Sequence, residues 1–246
     1  MKKLIYICMV LVVGCSSEDA NDCFQTAGTL KTIEVNTASF TKILVNRDIE
    51  LYLRQGSETK VEIESGENLL NDIKAVVIND ELQLTNNNTC NYVRDYGITK
   101  IFVTAPNIVE IRSSSQFDVN SVDTLNFPSL KLISENFNVD AFAIGDFRLN
   151  VNLNQLTIAS NKLSTFYISG TVENLNVGFY AGDGRFEGGN LIAQNIALFH
   201  RGSNDMIVNP QQTITGEIRS TGNVIALNRP PVVNVESFYT GSLIFD

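Results

Sequence analysis

The chain has 246 residues, 43% of them apolar, with 18 basic and 27 acidic side chains and a formal net charge of −9. A surface of that sign repels nucleic acid and anionic lipid, and no pair of adjacent basic residues beyond Lys2-Lys3 exists to override it, so no nucleic-acid partner is expected. The length suits one all-β domain or two small ones.

The opening residues read as an export signal. Lys2 and Lys3 precede an apolar run over residues 4–13, which is short for a bilayer span. The run ends in Val12-Val13-Gly14-Cys15, and Ser16-Ser17-Glu18-Asp19 follows at once. A small residue immediately before a cysteine at this place resembles the lipobox of bacterial lipoproteins, in which the cysteine becomes the lipid-bearing first residue. On that reading residues 1–14 are a signal peptide, Cys15 is lipidated, and residues 15–25 form a polar tether. Removing Lys2 and Lys3 leaves 16 basic against 27 acidic residues, a net charge of about −11. A lipid makes the chain anchored rather than spanning, with the membrane as its first partner. Glu18-Asp19 after Cys15 resembles the surface-export signal of some Gram-negative gut bacteria. The expected location is the outer membrane, facing the cell exterior, with periplasmic-facing attachment as the alternative.

Residues 26–246 form the folded domain. Its first portion, 26–107, carries strand-like stretches at 30–35, 40–45, 49–54, 60–64, 73–78, 81–85 and 98–104. Alternation is clearest in Ile49-Glu50-Leu51-Tyr52-Leu53 and Val61-Glu62-Ile63. Gln55-Gly56-Ser57-Glu58 reads as a hairpin turn between two of these stretches, and Asn79-Asp80 as a second turn. A single helical turn fits residues 65–71. Cys23 and Cys90 are the two cysteines of the folded part, and an even pair in an oxidising compartment favours a disulfide. The bridge would tie the tether to the Asn-rich loop at 86–91.

From residue 108 onward a small-residue turn recurs. The copies are Ser113-Ser114-Ser115-Gln116, Ser134-Glu135-Asn136, Ala159-Ser160-Asn161-Lys162, Ala181-Gly182-Asp183-Gly184, Gly202-Ser203-Asn204-Asp205, Thr221-Gly222-Asn223 and Thr240-Gly241-Ser242, beginning 19 to 25 residues apart. Short alternating strands flank each one. A period near twenty built of strands and tight turns is the signature of a β-solenoid. Stacking would put like strands about 4.8 Å apart, so six to seven circuits extend roughly 30 Å. Corners that close together favour small residues. Residues 108–246 would be the regular circuits, and 26–107 a less regular strand and hairpin portion covering one end.

These residues resemble the putative auto-transporter adhesin head GIN domain family of exported bacterial proteins. The resemblance rests on Phe40-Thr41-Lys42-Ile43, Ile49-Glu50-Leu51-Tyr52-Leu53-Arg54-Gln55-Gly56, Gly202-Ser203-Asn204-Asp205-Met206, Ile218-Arg219-Ser220-Thr221-Gly222-Asn223-Val224 and Tyr239-Thr240-Gly241-Ser242-Leu243-Ile244. It implies a right-handed parallel β-helix and carries no catalytic residues to transfer. The Ser113 and Ser134 turns lack the family's glycine, so wider corners are expected there.

Catalytic and metal chemistry find little purchase. His200 is the single histidine and cannot assemble a structural zinc set; it reads as a half-exposed residue at a strand end. No Gly-x-Ser-x-Gly elbow is present. Asp118, Asp140, Asp146, Asp183 and Asp205 recur near turns, where bonding to nearby backbone is their commoner role. No catalytic residue, metal site or cofactor is expected. Tyr180 and Tyr239 flank turns and could project outward as sugar- or protein-contacting platforms, with Asp183 and Asp205 as neighbouring polar candidates. The chain therefore reads as a non-enzymatic, adhesin-like module for protein or glycan. The alternatives are a β-helix carbohydrate-active enzyme using turn carboxylates and a purely structural envelope protein.

Overall fold

The computed structural model describes residues 22–88, 90–134 and 143–246. Cys15, the apolar run before it and Asp140 lie outside the described residues, as do Glu135 and Asn136 of the second turn. Among the described residues the regular structure is all β apart from one 3₁₀ turn, Glu67–Asp72, over the stretch read as a single helical turn. The strands are β1 (Leu30–Val35), β2 (Lys42–Val45), β3 (Glu50–Gln55), β4 (Lys60–Gly66), β5 (Ile73–Ile78), β6 (Glu81–Asn86), β7 (Lys100–Ala105), β8 (Glu110–Ser113) and β9 (Val119–Ser121). They continue as β10 (Ser129–Ser134), β11 (Phe147–Ser160), β12 (Thr165–Phe179), β13 (Arg185–His200), β14 (Met206–Ile218), β15 (Val224–Ala226), β16 (Val232–Ser237) and β17 (Leu243–Phe245). All belong to one sheet that wraps nearly closed on itself, like a barrel.

Within that sheet the pairings form two ladders. The first runs β5, β6, β2, β8, β10, then the C-terminal halves of β11 to β14, then β16. The second runs β1, β4, β7, β3, β9, then the N-terminal halves of β11 to β14, then β15 and β17. From β6 and β7 onward every pairing between neighbours is parallel, giving nine stacked levels among the described residues, seven of them from residue 108 onward, within the six to seven expected there. At about 4.8 Å per level they extend roughly 40 Å. The short strand expected after one turn and that expected before the next are fused in β12, β13 and β14, and β11 is a long strand of the same kind. Each of these runs down the second ladder, bends near Asn154, Glu173, Gln194 or Gln211, and continues in the first.

The alternation of side chains explains the ladders. Val119, Phe147, Phe166, Phe186, Met206 and Val224 occupy matching positions in the second ladder and are all essentially inaccessible. Phe147 stacks on Phe166 at 4.7 Å with rings 9° from parallel. In the first ladder Leu130, Leu156, Leu175, Ile196 and Ile214 form an equivalent column. Both columns belong to one continuous apolar core. In-register stacking of like residues is the only arrangement that buries every copy of a repeated apolar position.

The N-terminal portion differs from a simple succession of hairpins. Gln55-Gly56-Ser57-Glu58 joins β3 to β4, but these strands do not pair; β7 lies between them, parallel to β3 and antiparallel to β4. Both flanks of that turn are buried on one face only, so each could accept any apolar-alternating neighbour, and β7 is the one that satisfies both. The hairpin of this region is instead β5–β6, closed by Asn79 and Asp80 with φ of 51° and 66°, the left-handed pair that matches strand twist. In space the level formed by β6 and β7 precedes that formed by β2 and β3, although it follows in the chain. Antiparallel β1, β4 and β5 close this end. A disulfide joins Cys23 to Cys90 across 67 residues of sequence. Arg94 holds the same loop by donating to the Asp22 and Cys90 carbonyl oxygens at 2.6 and 2.7 Å.

At the corners the backbone of one level touches that of the next. Ser203 donates its N–H to the Gly182 carbonyl, and Gly222 to Gly202, each at 3.2 Å. Gly182 has φ of 85°, and Gly222 faces the Asn204 carbonyl so closely that a Cβ would overlap it. The change Gly222→Ala is expected to lower stability by roughly 1–3 kcal/mol, the usual scale of an overpacked site. Gly189→Ala meets only the movable ends of Leu227 and Ile207 and should cost much less. Urea unfolding of the two variants checks the difference. Replacing both cysteines of the bridge by serine is expected to cost about 2–4 kcal/mol in the same assay.

Candidate functional site

Outward-facing positions of the first ladder fall into rows by the same register that stacks the core. One row is Lys131, Thr157, Asn176 and Ala197; the next is Ala159, Gly178 and Phe199. Small side chains in the second row lower the surface, and the two rows line a groove of about 540 Å³. Tyr180 closes one side, half exposed, with its ring 5.5 Å from Phe199 and 30° from parallel. Its hydroxyl lies over Gly178, where a Cβ would come within 2.6 Å of it. The absence of a side chain at position 178 is thus what lets the tyrosine fold back along the strand.

Polar groups on this face divide into two kinds. One row over, Asn195 donates to Asn174 at 3.2 Å and Thr213 donates to Asn195 at 3.0 Å, so that row is an internal ladder. Thr215 donates to the Ile196 carbonyl. Among the described residues the side chains of Thr157 and Asn176 make no such bond, and Asn176 is exposed. The groove's one charged group, Lys131, faces Glu110 at 3.6 Å.

The turn carboxylates serve another purpose. Asp118 accepts the Asp146 N–H at 3.1 Å, Asp146 the Thr165 N–H at 2.9 Å, and Asp205 the Asn223 N–H at 2.9 Å. Each acid therefore caps the backbone of the next level. Asp118 and Asp146 also hold Arg148, at 2.8 and 2.7 Å. Asp183 accepts the Ser203 hydroxyl. Of the four sequence candidates, Tyr180 lies at the groove, Asp183 and Asp205 lie within the stacked corners, and Tyr239 stands exposed in the last corner. The structure does not bring Tyr180 and Tyr239 together. Phe199, Thr157 and Asn176 were missed; the signal for them is the recurrence of Ala159, Gly178 and Ala197 on the outward parity of successive strands.

His200 is the clearest departure from its sequence reading. It is fully buried rather than half exposed, at the corner end of β13. It follows Phe179 in the inward column, their rings 6.1 Å apart and edge to face. Neither ring nitrogen has a hydrogen-bond partner. Desolvation lowers its pKa below the ordinary histidine value, outweighing the opposing pull of the Asn204 backbone and the Asp205 carboxylate. The folded chain therefore binds this proton less readily than the unfolded chain does. Stability is complete above the unfolded pKa of about 6.5 and is lost as pH falls below it. Thermal unfolding of the wild type should fall between neutral and mildly acidic pH, and His200→Phe should remove that part of the decline. Parallel curves for the two proteins would show that His200 does not titrate.

Comparisons with known proteins place this geometry. Residues 39–230 match the family described as putative auto-transporter adhesin, head GIN domain. A putative adhesin from Bacteroides fragilis superimposes with a TM-score of 0.79 at 19% identity, covering 90% of this chain and 99% of that one. A putative lipid binding protein from Parabacteroides distasonis gives 0.61 at 15% identity, covering 89% and 97%. A putative adhesin from Parabacteroides merdae gives 0.56 at 17%, again covering 89% and 97%. At such identities the likeness is one of fold. No curated protein matches the chain.

Proposed function

Because this chain belongs to the family described as putative auto-transporter adhesin, head GIN domain, we propose that it is a non-enzymatic, adhesin-like binding module displayed on the bacterial cell surface. Residues 1–14 are its signal peptide, a lipid on Cys15 anchors it in the outer membrane, and residues 15–25 are a tether. The domain of 26–246 winds as a right-handed parallel β-helix, a stiff ladder that holds its outer face at a fixed distance from the membrane. No helix among the described residues is long and apolar enough to cross a membrane.

The observation that carries the reading is the groove of Tyr180 and Phe199, where free polar groups stand beside an exposed aromatic pair on a rigid sheet. Binding sites are commonly built this way, from an apolar surface and a few placed polar groups. Of the turn carboxylates on which a polysaccharide-cleaving reading would draw, Asp118, Asp146 and Asp205 cap backbone, the first two also hold Arg148, and Asp183 holds Ser203. That favours a partner held, protein or glycan, over a substrate cleaved.

Protease treatment of intact cells tests the display. Digestion of the wild type without lysis, and release of Cys15→Ala from the membrane fraction, are the expected results. Full protection in intact cells would contradict surface exposure. Incubation with polysaccharides, with and without calcium, should yield no new reducing ends, whereas immobilised matrix proteins or glycans should retain the protein.

A further inference from the structure

We infer that the groove bounded by Tyr180 and Phe199 is a binding site for a neutral saccharide. This rests on the adhesin-like reading and narrows it from protein or glycan to one ligand class. Three features of the groove converge on that class.

The first is the aromatic wall. Tyr180 and Phe199 are near parallel and 5.5 Å apart, and Tyr180 is half exposed. The pair offers an aromatic surface, most of it the half-exposed Tyr180 ring, with one hydroxyl at its edge. A pyranose has the complementary form, with an apolar C–H face and a rim of hydroxyls. The second feature is hydrogen-bonding capacity left unspent. Asn176 presents two donors and an acceptor, and Thr157 a hydroxyl, at matching positions of adjacent strands about one level apart. Other polar groups on the same face, Asn174, Asn195, Thr213 and Thr215, are consumed by their neighbours. Amide and hydroxyl side chains can each donate and accept, which is what a ring of hydroxyls requires.

The third feature is charge. The chain is strongly acidic overall, yet the groove has a single charged side chain, Lys131, already opposite Glu110. A uronate or sulfated polymer would meet net repulsion, and the lining offers it no cation free of a partner; the exposed Arg201, one level beyond Tyr180, stands outside that lining. A neutral sugar is indifferent to the field. Size agrees: about 540 Å³ is in the range of small-ligand sites, while a stable protein partner needs roughly 800 Å² of buried surface on each side.

The test uses the full chain with its disulfide intact. Calorimetry and array binding would compare neutral glucans, mannans, galactans and N-acetylglucosamine oligomers with polygalacturonate and hyaluronate. At least one neutral class should bind and the acidic ones should not. Tyr180→Ala and Asn176→Ala should each weaken binding about tenfold or more, an effect of about 1.4 kcal/mol. Tyr180→Phe, which keeps the stacking face, should stay close to the wild type. Tyr239→Ala should leave affinity unchanged, and all variants should keep the wild-type melting temperature. Neutral-glycan binding that ignores Tyr180→Ala and Asn176→Ala, or binding confined to acidic glycans, would overturn the assignment. If no glycan binds while immobilised matrix proteins retain the chain, the groove assignment fails and the adhesin-like reading stands. If neither is retained, both fail.

Discussion

Between successive corners of this sheet there is space for backbone and almost nothing more. The carbonyl of one corner accepts the N–H of the next, a Cβ at Gly182, Gly222 or Gly241 would strike a carbonyl of the preceding level, and one at Gly202 would press on the ring of His200. This close approach fixes the vertical interval between levels at the strand spacing. Once it is fixed, the alternation along each strand decides everything else: Phe147, Phe166 and Phe186 must stack inward, and Arg148, Tyr167 and Glu187 must face outward beside one another. Arg148 lies over the Tyr167 ring at 4.1 Å for this reason. The turn acids add a second tie by capping N–H groups one level on.

Much of this was legible because the relevant signals are local and repeated. Turn spacing marked the corners, the parity of apolar residues marked the inward columns, and Asn79-Asp80 marked a genuine hairpin. What was not legible depended on distant choices. Nothing in the composition of β3 or β4 says that β7 will lie between them, since all three present the same alternation and any two would pair. The fusion of short strands into β12 to β14 and the length of β11 were hidden because the outward residues at the bends, such as Asn154 and Gln194, look like loop residues while the backbone remains extended. His200 was misjudged for a related reason. It ends a strand and precedes glycine, which suggests exposure, yet its parity places it directly after Phe179 in the buried column.

The same logic bears on function. A sheet whose outer rows are set by a repeated register can bond its polar side chains to one another from level to level, as Asn174, Asn195 and Thr213 do, and Asn126, Asn152 and Thr171. Where Ala197 interrupts one row and Ala159 and Gly178 the next, the surface sinks, and Thr157 and Asn176 there have no internal partner. The groove is therefore a consequence of the ladder and a departure from it. Of the residues that form it, only Tyr180 stood out in the sequence, because exposed aromatics beside turns are conspicuous and unbonded asparagines in an asparagine-rich chain are not.

The register itself can be measured directly. Thr171 and Ile192 are partners on adjacent parallel strands and both face outward, whereas Leu191 beside Ile192 points into the core. Parallel neighbours at about 4.8 Å lie within disulfide reach. The account predicts that the pair Thr171→Cys with Ile192→Cys oxidises readily within one chain while the protein keeps its fold, and that Thr171→Cys with Leu191→Cys does not. Equal oxidation of both pairs, or failure of the first, would show that successive levels are not stacked in this register and would contradict the account at its base.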